Sequence, residues 1–371
     1  MREVYAYSPA LGALGGGERY FAEVIAALAD AFQVTILAHS GHVRALHEIW
    51  RIFSLEQKRI ALREIANPPD YSPALHNELA SLTPEDALFF QVSNGKLIDI
   101  RRKSNIVHVQ IVVPRDGDPF SDKDRQSFRE ILAKQDLVIF PSRFVTEENV
   151  RRHQAPDTKA VWVHPPVHRD FFVPNSCTEN QIVNVGRFTP IKRQRDLIQA
   201  FASLPPDIRG KFVLAGPGET GHLHELIALA RGLPVEFRVG LNVRELAELY
   251  SHSRILWSAT GLGQSRFGLV ETFGLSIAEA MAGGCVPVAV RGGGVTEIIQ
   301  DNVTGFLVDD MPGLADRTTA LLSSPERRSG MAEAGSVASR AFSSAVFREK
   351  ILGLFQECGD RAIAPQTHTT S

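Results

Sequence analysis

The sequence predicts an α/β protein of two Rossmann-like domains, and three observations support this fold class. Its 371 residues exceed the size at which a single hydrophobic core stops growing, roughly 250–300 residues. Short apolar runs alternate with helix-patterned segments in both halves, as in parallel sheets with helices on both faces. Near the middle of the chain, three prolines at 164–174 block regular structure, and we place the inter-domain linker there.

The apolar runs define the predicted strands of each half. In the first half they are Val4–Tyr7, Val34–Ala38, Leu88–Val92, Ile106–Val109 and Leu137–Phe140, with a helix predicted from Glu18 to Ala31. In the second half they are Ile182–Val185, Phe212–Ala215, Val235–Val239, Ile255–Ser258 and Val286–Val290. We therefore expect an N-terminal domain at 1–168, a C-terminal domain at 169–345, a helix at 346–363 that packs back on the N-terminal domain, and a disordered tail at 364–371.

Composition excludes several classes of protein. Hydrophobic residues make up 44% of the chain and charged residues 22%, close to the averages of globular proteins. Forty Lys and Arg against 42 Asp and Glu give no basic excess, so nucleic acid is not an expected partner. The three cysteines, Cys177, Cys285 and Cys358, are odd in number and far apart, which fits a reducing, cytoplasmic compartment. No stretch of 18 apolar residues predicts a membrane span.

Glycines 15–17 lie between a predicted strand and a helix. At such a turn the backbone N–H groups can face an anion, so Gly16 and Gly17 are candidates for holding a phosphate or a sugar. A tight turn without a ligand explains the same pattern. An NAD site is disfavoured, because the second strand ends in His39 and Ser40 where an acidic ribose ligand is expected.

Cations gather after the first strand of the second half, in the run GRFTPIKRQR at 186–195. A helix is predicted to begin there, near Pro190 or Lys192, and positive charge at a helix N-terminus opposes the helix dipole. An anionic ligand would relieve that conflict, so Arg187 and Lys192 are predicted to clamp a diphosphate. A solvated basic loop that faces acidic neighbours is the alternative.

Two carboxylates, Glu271 and Glu279, stand eight positions apart around a predicted helix start. The N–H groups near Gly274, Leu275 and Ser276 could face a phosphate, and the carboxylates could accept hydrogen bonds from sugar or ribose hydroxyls. A capping box from Ser276 to Glu279 explains the second carboxylate without a ligand, but it leaves Glu271 unexplained.

Three motifs in the second half, together with the N-terminal GGGERY, resemble the retaining glycosyltransferases of family 4, which have the GT-B fold. The motifs are VNVGRFTPIK, the E-x7-E element at 271–279 and the run GGGVTEIIQDNVTGF at 292–306, in the usual order. The N-terminal half matches more weakly, through the glycine loop and VHVQIVVP. The resemblance implies two Rossmann-like domains that face a central cleft.

The resemblance also implies roles for individual residues. Arg187 and Lys192 would neutralise the nucleotide diphosphate, Glu279 would hold the ribose, Glu271 would contact the donor sugar and Gly16 would lie beneath the diphosphate and sugar. His108 matches a histidine that many members use on the sugar near the reaction centre. Thr272 stands where close relatives often have histidine, which weakens the assignment of the donor sugar. No protein nucleophile, metal ion or other cofactor is expected.

The chain most resembles family members that are mannosyltransferases for lipid-linked oligosaccharides. That resemblance implies transfer of a hexose, with mannose from GDP-mannose as the first expectation, to a glycan, a lipid-linked acceptor or a cell-surface polysaccharide. One alternative is a UDP-sugar with a soluble metabolite as acceptor. Others are a protein that binds nucleotide sugars without transfer, and a phosphorylase or epimerase on the same fold. We expect a cytoplasmic protein, with peripheral contact at the inner face of a membrane as a further expectation.

Three weaker patterns in the sequence have structural interpretations that need no ligand. Asp116 and Asp118 match the D-x-D metal motif of another glycosyltransferase fold, but we interpret them as an acidic turn. His222 and His224 do not share a helix face and are not expected to bind zinc. The segment from His42 to Ile65 is predicted to be an amphipathic helix that packs on the N-terminal sheet, with a membrane-surface helix as the alternative.

Overall fold

The computed structural model describes residues 2–9, 11, 16–52, 60–113, 120–153, 159–218, 221–264 and 269–361. The chain divides into two compact units. One comprises Met1–His164 with Ala345–Ser371, and the other comprises Pro165–Ser344. Two candidate positions, Asp116 and Asp118, and the tail predicted at 364–371 lie outside the described residues.

The N-terminal unit contains a parallel sheet, with seven strands among its described residues in the order β3-β2-β1-β4-β5-β6-β7. These strands are β1 Glu3–Tyr7, β2 Gln33–His39, β3 Ile60–Ile65, β4 Leu88–Ser93, β5 Ser104–Val109, β6 Leu137–Phe140 and β7 Ala160–Trp162. The helices are α1 Gly16–Leu28, α2 Val43–Ile52, α3 Pro73–Leu82, α4 Asp122–Ala133 and α5 Arg143–His153. Strands β4, β5 and β6 are buried along their whole length, as parallel strands covered on both faces must be.

The second unit repeats this plan, with six parallel strands among its described residues in the order β10-β9-β8-β11-β12-β13. The strands are β8 Gln181–Val185, β9 Lys211–Gly216, β10 Val235–Val239, β11 Ile255–Ser258, β12 Val286–Val290 and β13 Phe306–Val308. The helices are α6 Gln194–Ser203, α7 Pro206–Arg209, α8 Gly221–Leu229, α9 Val243–Ser251, α10 Leu275–Ala282, α11 Met311–Leu322 and α12 Pro325–Ser339. Two parallel-sheet Rossmann-like domains therefore form the chain.

The last helix, α13 at Ser344–Arg361, belongs to the N-terminal unit by its packing. Its side chains Phe347, Ile351 and Phe355 are buried in the same apolar core as α1 and strands β1, β2 and β4. The spacing of four residues between these side chains places them on one face of the helix. Burial of that face explains why the chain returns to its first unit.

The segment from His42 to Ile65 is not one helix, which corrects the sequence prediction. Helix α2 ends at Ile52, and Ile60–Ile65 is the edge strand β3, paired with β2. On α2, Leu46 is buried and Trp50 packs against the core beside it, as the packing interpretation requires. Among the described residues, no helix is both long and apolar enough to cross a membrane.

Candidate functional site

The cationic loop after β8 places Arg187 and Lys192 on one short turn. A 3₁₀ turn at Pro190–Lys192 follows the loop, and α6 begins only at Gln194, after Arg193 adopts a left-handed φ of 58°. The helix therefore starts slightly later than predicted. The Lys192 stem packs over Gly186, where an added Cβ would lie 3.6 Å from Lys192 Cδ. Both cations thus lie on the segment that follows the carboxyl end of β8.

Gln194 supports this loop, and the sequence analysis missed it. Its side chain is fully buried, and Nε2 donates to the carbonyl oxygen of Arg187 at 2.8 Å. Phe188, also buried, anchors the loop on the apolar core beneath it. A glutamine in the first turn of a helix gives no distinctive sequence signal, because helices accept glutamine at most positions.

Lys192 and Glu271 form an ion pair in this unit. Lys192 Nζ lies 2.6 Å from Glu271 Oε2, and the two side chains are 23% and 19% exposed. Burial alone would raise the pKa of Glu271, but the charge and hydrogen bond of Lys192, a hydrogen bond with Thr260 and the charge of Arg187 together lower it. The Glu271 carboxylate is therefore ionised at neutral pH, beside two cations.

A second glycine-rich loop, Gly292–Gly294, holds the backbone of Glu271. The N–H of Gly294 donates to the carbonyl oxygen of Glu271 at 2.9 Å. Gly293 has a φ of 58°, and a Cβ there would lie only 2.1 Å from that same carbonyl oxygen. A Cβ on Gly294 would lie 2.4 Å from the carbonyl oxygen of Thr272. Only residues without a Cβ allow the two loops to approach this closely.

Gly274 begins the helix that carries Glu279. With a φ of 107° it is the N-cap of α10, and Leu275 and Ser276 are the first two helical residues. The structure excludes the alternative of a capping box from Ser276 to Glu279, because Ser276 lies inside the helix and the N-cap has no side chain. Glu279 instead lies in the second turn, 3% exposed, where the Tyr250 hydroxyl donates to its Oε2 at 3.4 Å.

Gly16 and Gly17 are the first two residues of α1 in the N-terminal unit. The Cα of Gly16 is open, since an added Cβ would meet no atom within 4 Å. Gly17 lies against the Gln110 side chain, and a Cβ there would come within 1.7 Å of Gln110 Oε1. The helix start therefore contacts the residue that directly follows β5. Gly15, which opens the predicted glycine motif, lies outside the described residues.

His108 lies near the end of β5 and is 1% exposed. Its ring stacks on Tyr20 of α1, with the ring centroids 3.7 Å apart and the planes within 5°. Burial lowers the pKa of His108 to about 3, although a hydrogen bond with the backbone of Ile139 opposes the shift. His108 is thus a neutral side chain at physiological pH, with Nδ1 buried and unpartnered.

We expect the His108 ring to remain neutral between pH 5 and pH 8, because its pKa is about 3. Below about pH 6.5 the unfolded chain binds a proton at this residue that the folded chain does not bind. The free energy of unfolding should therefore fall as the pH drops from about 6.5 towards 3. NMR titration of the histidine rings, assigned with His108→Gln, measures the protonation of His108. A His108 signal that titrates near pH 6.5 would contradict the prediction.

No metal centre emerges from the described residues, among which no three His, Cys, Asp or Glu side chains gather as a metal site would need. His222 Nδ1 lies 3.3 Å from Glu225 Oε2 on the same helix, as a local surface pair.

The described candidate residues fall into two groups, one in each unit. Arg187, Lys192, Glu271, Gly274, Leu275, Ser276 and Glu279 lie in the C-terminal unit, whereas Gly16, Gly17 and His108 lie in the N-terminal unit.

Residues 169–337 match the family model of Glycosyl transferases group 1. The chain is 32% identical over 162 residues to an N-acetyl-alpha-D-glucosaminyl L-malate synthase of Bacillus anthracis, across 43% of this chain and 40% of that protein. It is 30% identical over 237 residues to a D-inositol 3-phosphate glycosyltransferase of Xylanimonas cellulosilytica, across 57% and 55% of the two chains. The chain thus spans about half the length of these relatives.

Solved structures resemble nearly the whole chain. The Anabaena protein HepE, in complex with UDP, has a TM-score of 0.75 at 17% identity and covers 96% of this chain and 100% of its own. Sucrose-phosphate synthase of Thermosynechococcus elongatus has a TM-score of 0.75 at 17% identity and covers 97% and 100%. These likenesses show the fold, which is GT-B, and confirm the predicted fold class.

Proposed function

We propose that this chain, whose residues 169–337 match group 1 glycosyltransferases, transfers a sugar from a nucleoside diphosphate sugar to a small soluble acceptor. The observation that carries the proposal is the Lys192–Glu271 ion pair. The pair brings a cation and a carboxylate to one site, on loops that glycines 274 and 292–294 shape. The cation can bind the diphosphate of a donor, and the carboxylate can bind its sugar. The family resemblance of the motifs supports the same assignment.

In this proposal, the reaction depends on stabilising the leaving diphosphate. Arg187 and Lys192 would bind its oxygens, and the start of α10 at Leu275 and Ser276 would offer backbone N–H groups. Cations fixed before the reaction stabilise the charge that develops on the leaving group, and in many enzymes such stabilisation accounts for most of the rate enhancement. Glu271 would accept hydrogen bonds from the sugar, and Glu279 from the ribose.

The resemblance implies that the sugar keeps its anomeric configuration. In the front-face mechanism usually proposed for such enzymes, the bond from the sugar to the leaving phosphate oxygen breaks on the face that the acceptor oxygen attacks. The same phosphate oxygen takes the acceptor's proton. Neither Glu271 nor the neutral His108 therefore needs to act as a general base. For Gly16, Gly17 and His108, which lie in the N-terminal unit, contact with the donor stays a prediction of the family resemblance.

The names of the relatives favour a soluble acceptor. One is a synthase that joins N-acetylglucosamine to malate, and the other is a glycosyltransferase for inositol 3-phosphate. Both acceptors are small anions with hydroxyl groups. Solved neighbours bind UDP and UDP-glucose, which supports a UDP-sugar donor here. GDP-mannose, a glycan or lipid-linked acceptor and a peripheral membrane location stay predictions of the sequence.

A thermal-shift screen with UDP, GDP and their sugars tests the donor class, because a ligand that binds only the folded state raises Tm. A nucleotide at 100 times its Kd adds about 2.7 kcal/mol, or roughly 5–10 °C for a unit of this size. We expect the shift with a uridine nucleotide and its loss in Arg187→Ala. The control Arg244→Ala, at an exposed position of α9, should keep it.

Turnover is then tested by release of the free nucleotide with malate, inositol phosphates or an oligosaccharide as acceptor. Release with a small anionic acceptor supports the proposal. Release with the oligosaccharide alone would return the acceptor to the glycan class. Binding of donor without release in the presence of any of these acceptors would favour a nucleotide-sugar-binding protein.

A further inference from the structure

Tyr250 lies directly beside the carboxylate proposed to hold the ribose. It is on α9, its side chain is fully buried, and its hydroxyl donates to Glu279 Oε2 at 3.4 Å. Its ring packs against Phe171, with the centroids 5.8 Å apart. Because Tyr250 has no exposed surface, it would act on a ligand indirectly, and its hydroxyl contacts Glu279.

The backbone around Tyr250 is fixed relative to the end of α10. Gly283, the C-cap of α10, lies so close that an added Cβ would come within 2.9 Å of the Cβ of Tyr250. The Cys285 thiol donates to the carbonyl oxygen of Tyr250 at 3.0 Å. Two contacts from the segment that follows Glu279 therefore set where the phenol ring can reach.

We propose that Tyr250 is a positioning residue that orients the Glu279 carboxylate towards the ribose hydroxyls of the donor. This inference rests on the proposed function, which assigns Glu279 to the ribose. The last torsion of a glutamate side chain is broad, so the carboxylate plane is free to rotate unless a donor fixes it. A carboxylate that is already oriented binds hydroxyl groups at a lower entropic cost.

The hydrogen bond from Tyr250 is a long one. Hydrogen bonds between hydroxyl and carboxylate oxygens are commonly about 2.5–2.7 Å, shorter than the 3.4 Å between Tyr250 and Glu279. We therefore expect a modest effect of the Tyr250 hydroxyl on ribose binding.

The test compares binding of a nucleoside diphosphate with that of its 2′-deoxy and 3′-deoxy analogues by calorimetry. The nucleotide is UDP or GDP, whichever raises Tm in the screen above. Tyr250→Phe removes only the hydroxyl, and we expect it to reduce the preference for the ribose form about three- to tenfold. The control is Tyr20→Phe in the N-terminal unit, which removes a hydroxyl that donates to the backbone of Val163 in the same unit. This variant should keep the preference for the ribose form.

Glu279→Gln separates the two proposals. Loss of the hydroxyl preference in both Glu279→Gln and Tyr250→Phe, with Tyr20→Phe unchanged, supports the inference. Loss in Glu279→Gln with a wild-type preference in Tyr250→Phe overturns it and leaves the proposed function intact. A wild-type protein without any hydroxyl preference, or one that Glu279→Gln does not affect, overturns the ribose assignment and the inference with it.

Discussion

Replacing Lys192 with alanine is expected to lower kcat by about 10²- to 10³-fold. This range is the usual loss when one preorganised group that stabilises developing charge is removed. The ammonium lies 2.6 Å from Glu271 and beside the Arg187 loop, so its removal takes a cation from the proposed diphosphate site. Steady-state kinetics with saturating donor and acceptor measure the effect.

Two further variants separate catalysis from stability in this experiment. Removing Lys192 alone also takes the ion-pair partner at 2.6 Å from the partly buried Glu271 carboxylate, which destabilises the fold. The double variant Lys192→Ala with Glu271→Gln removes both charges and should recover thermal stability without recovering turnover. Lys211→Ala, which breaks a more exposed ion pair with Glu236 between β9 and β10, is the matched control. Turnover near the wild-type rate in Lys192→Ala would exclude the proposed role.

Replacing Gly293 with alanine is expected to destabilise the C-terminal unit by roughly 2–4 kcal/mol. A left-handed φ alone costs a residue with a Cβ about 1–2 kcal/mol, and the overlap with the Glu271 carbonyl oxygen adds to it. Tm should fall by several degrees, and binding of the nucleotide should weaken because the backbone of Glu271 must shift. Thermal unfolding with and without nucleotide measures both effects.

Gly330→Ala is the control for this variant. Gly330 lies in α12, where an added Cβ would meet no atom within 4 Å. Alanine there should stabilise the protein by about 0.5–1 kcal/mol, as it does in helix interiors generally. A Gly293→Ala protein that melts at the wild-type temperature and binds nucleotide normally would show that the contact with Glu271 is not required.

Edge strands mark the limit of strand prediction from this sequence. The predicted strands that pair on both sides read as continuous apolar runs, and they recur in the structure within one or two residues of the predicted ends. The missed strands β3, β7 and β13 all lie at an edge of a sheet, whereas the edge strand β10 was predicted at its observed bounds, Val235–Val239. An edge strand is half exposed and accepts charged residues such as Arg63 and Glu64, so its pattern resembles that of a helix or a loop.

The helix that carries Glu279 shows a different limit. Ser276 and Glu279 have the spacing of a capping box, yet the helix begins one residue before Ser276, after a glycine with a φ of 107°. Spacing gives a local preference and does not give the position of the first helical residue. Gly274 takes that place because it adopts a conformation that residues with a Cβ rarely adopt.

The sequence by itself determined the two α/β domains, most of their strands, and the residue types of the candidate site with the glycines around them. Only the tertiary structure decided that Lys192 forms an ion pair with Glu271, 79 positions away, and that the Tyr250 hydroxyl donates a hydrogen bond to Glu279. It also decided that His108 is buried and therefore neutral. The reason is physical. Periodicity and glycine placement express backbone preferences over a few residues, whereas side-chain contacts and desolvation depend on which distant loops the parallel strands bring to the same end of a sheet.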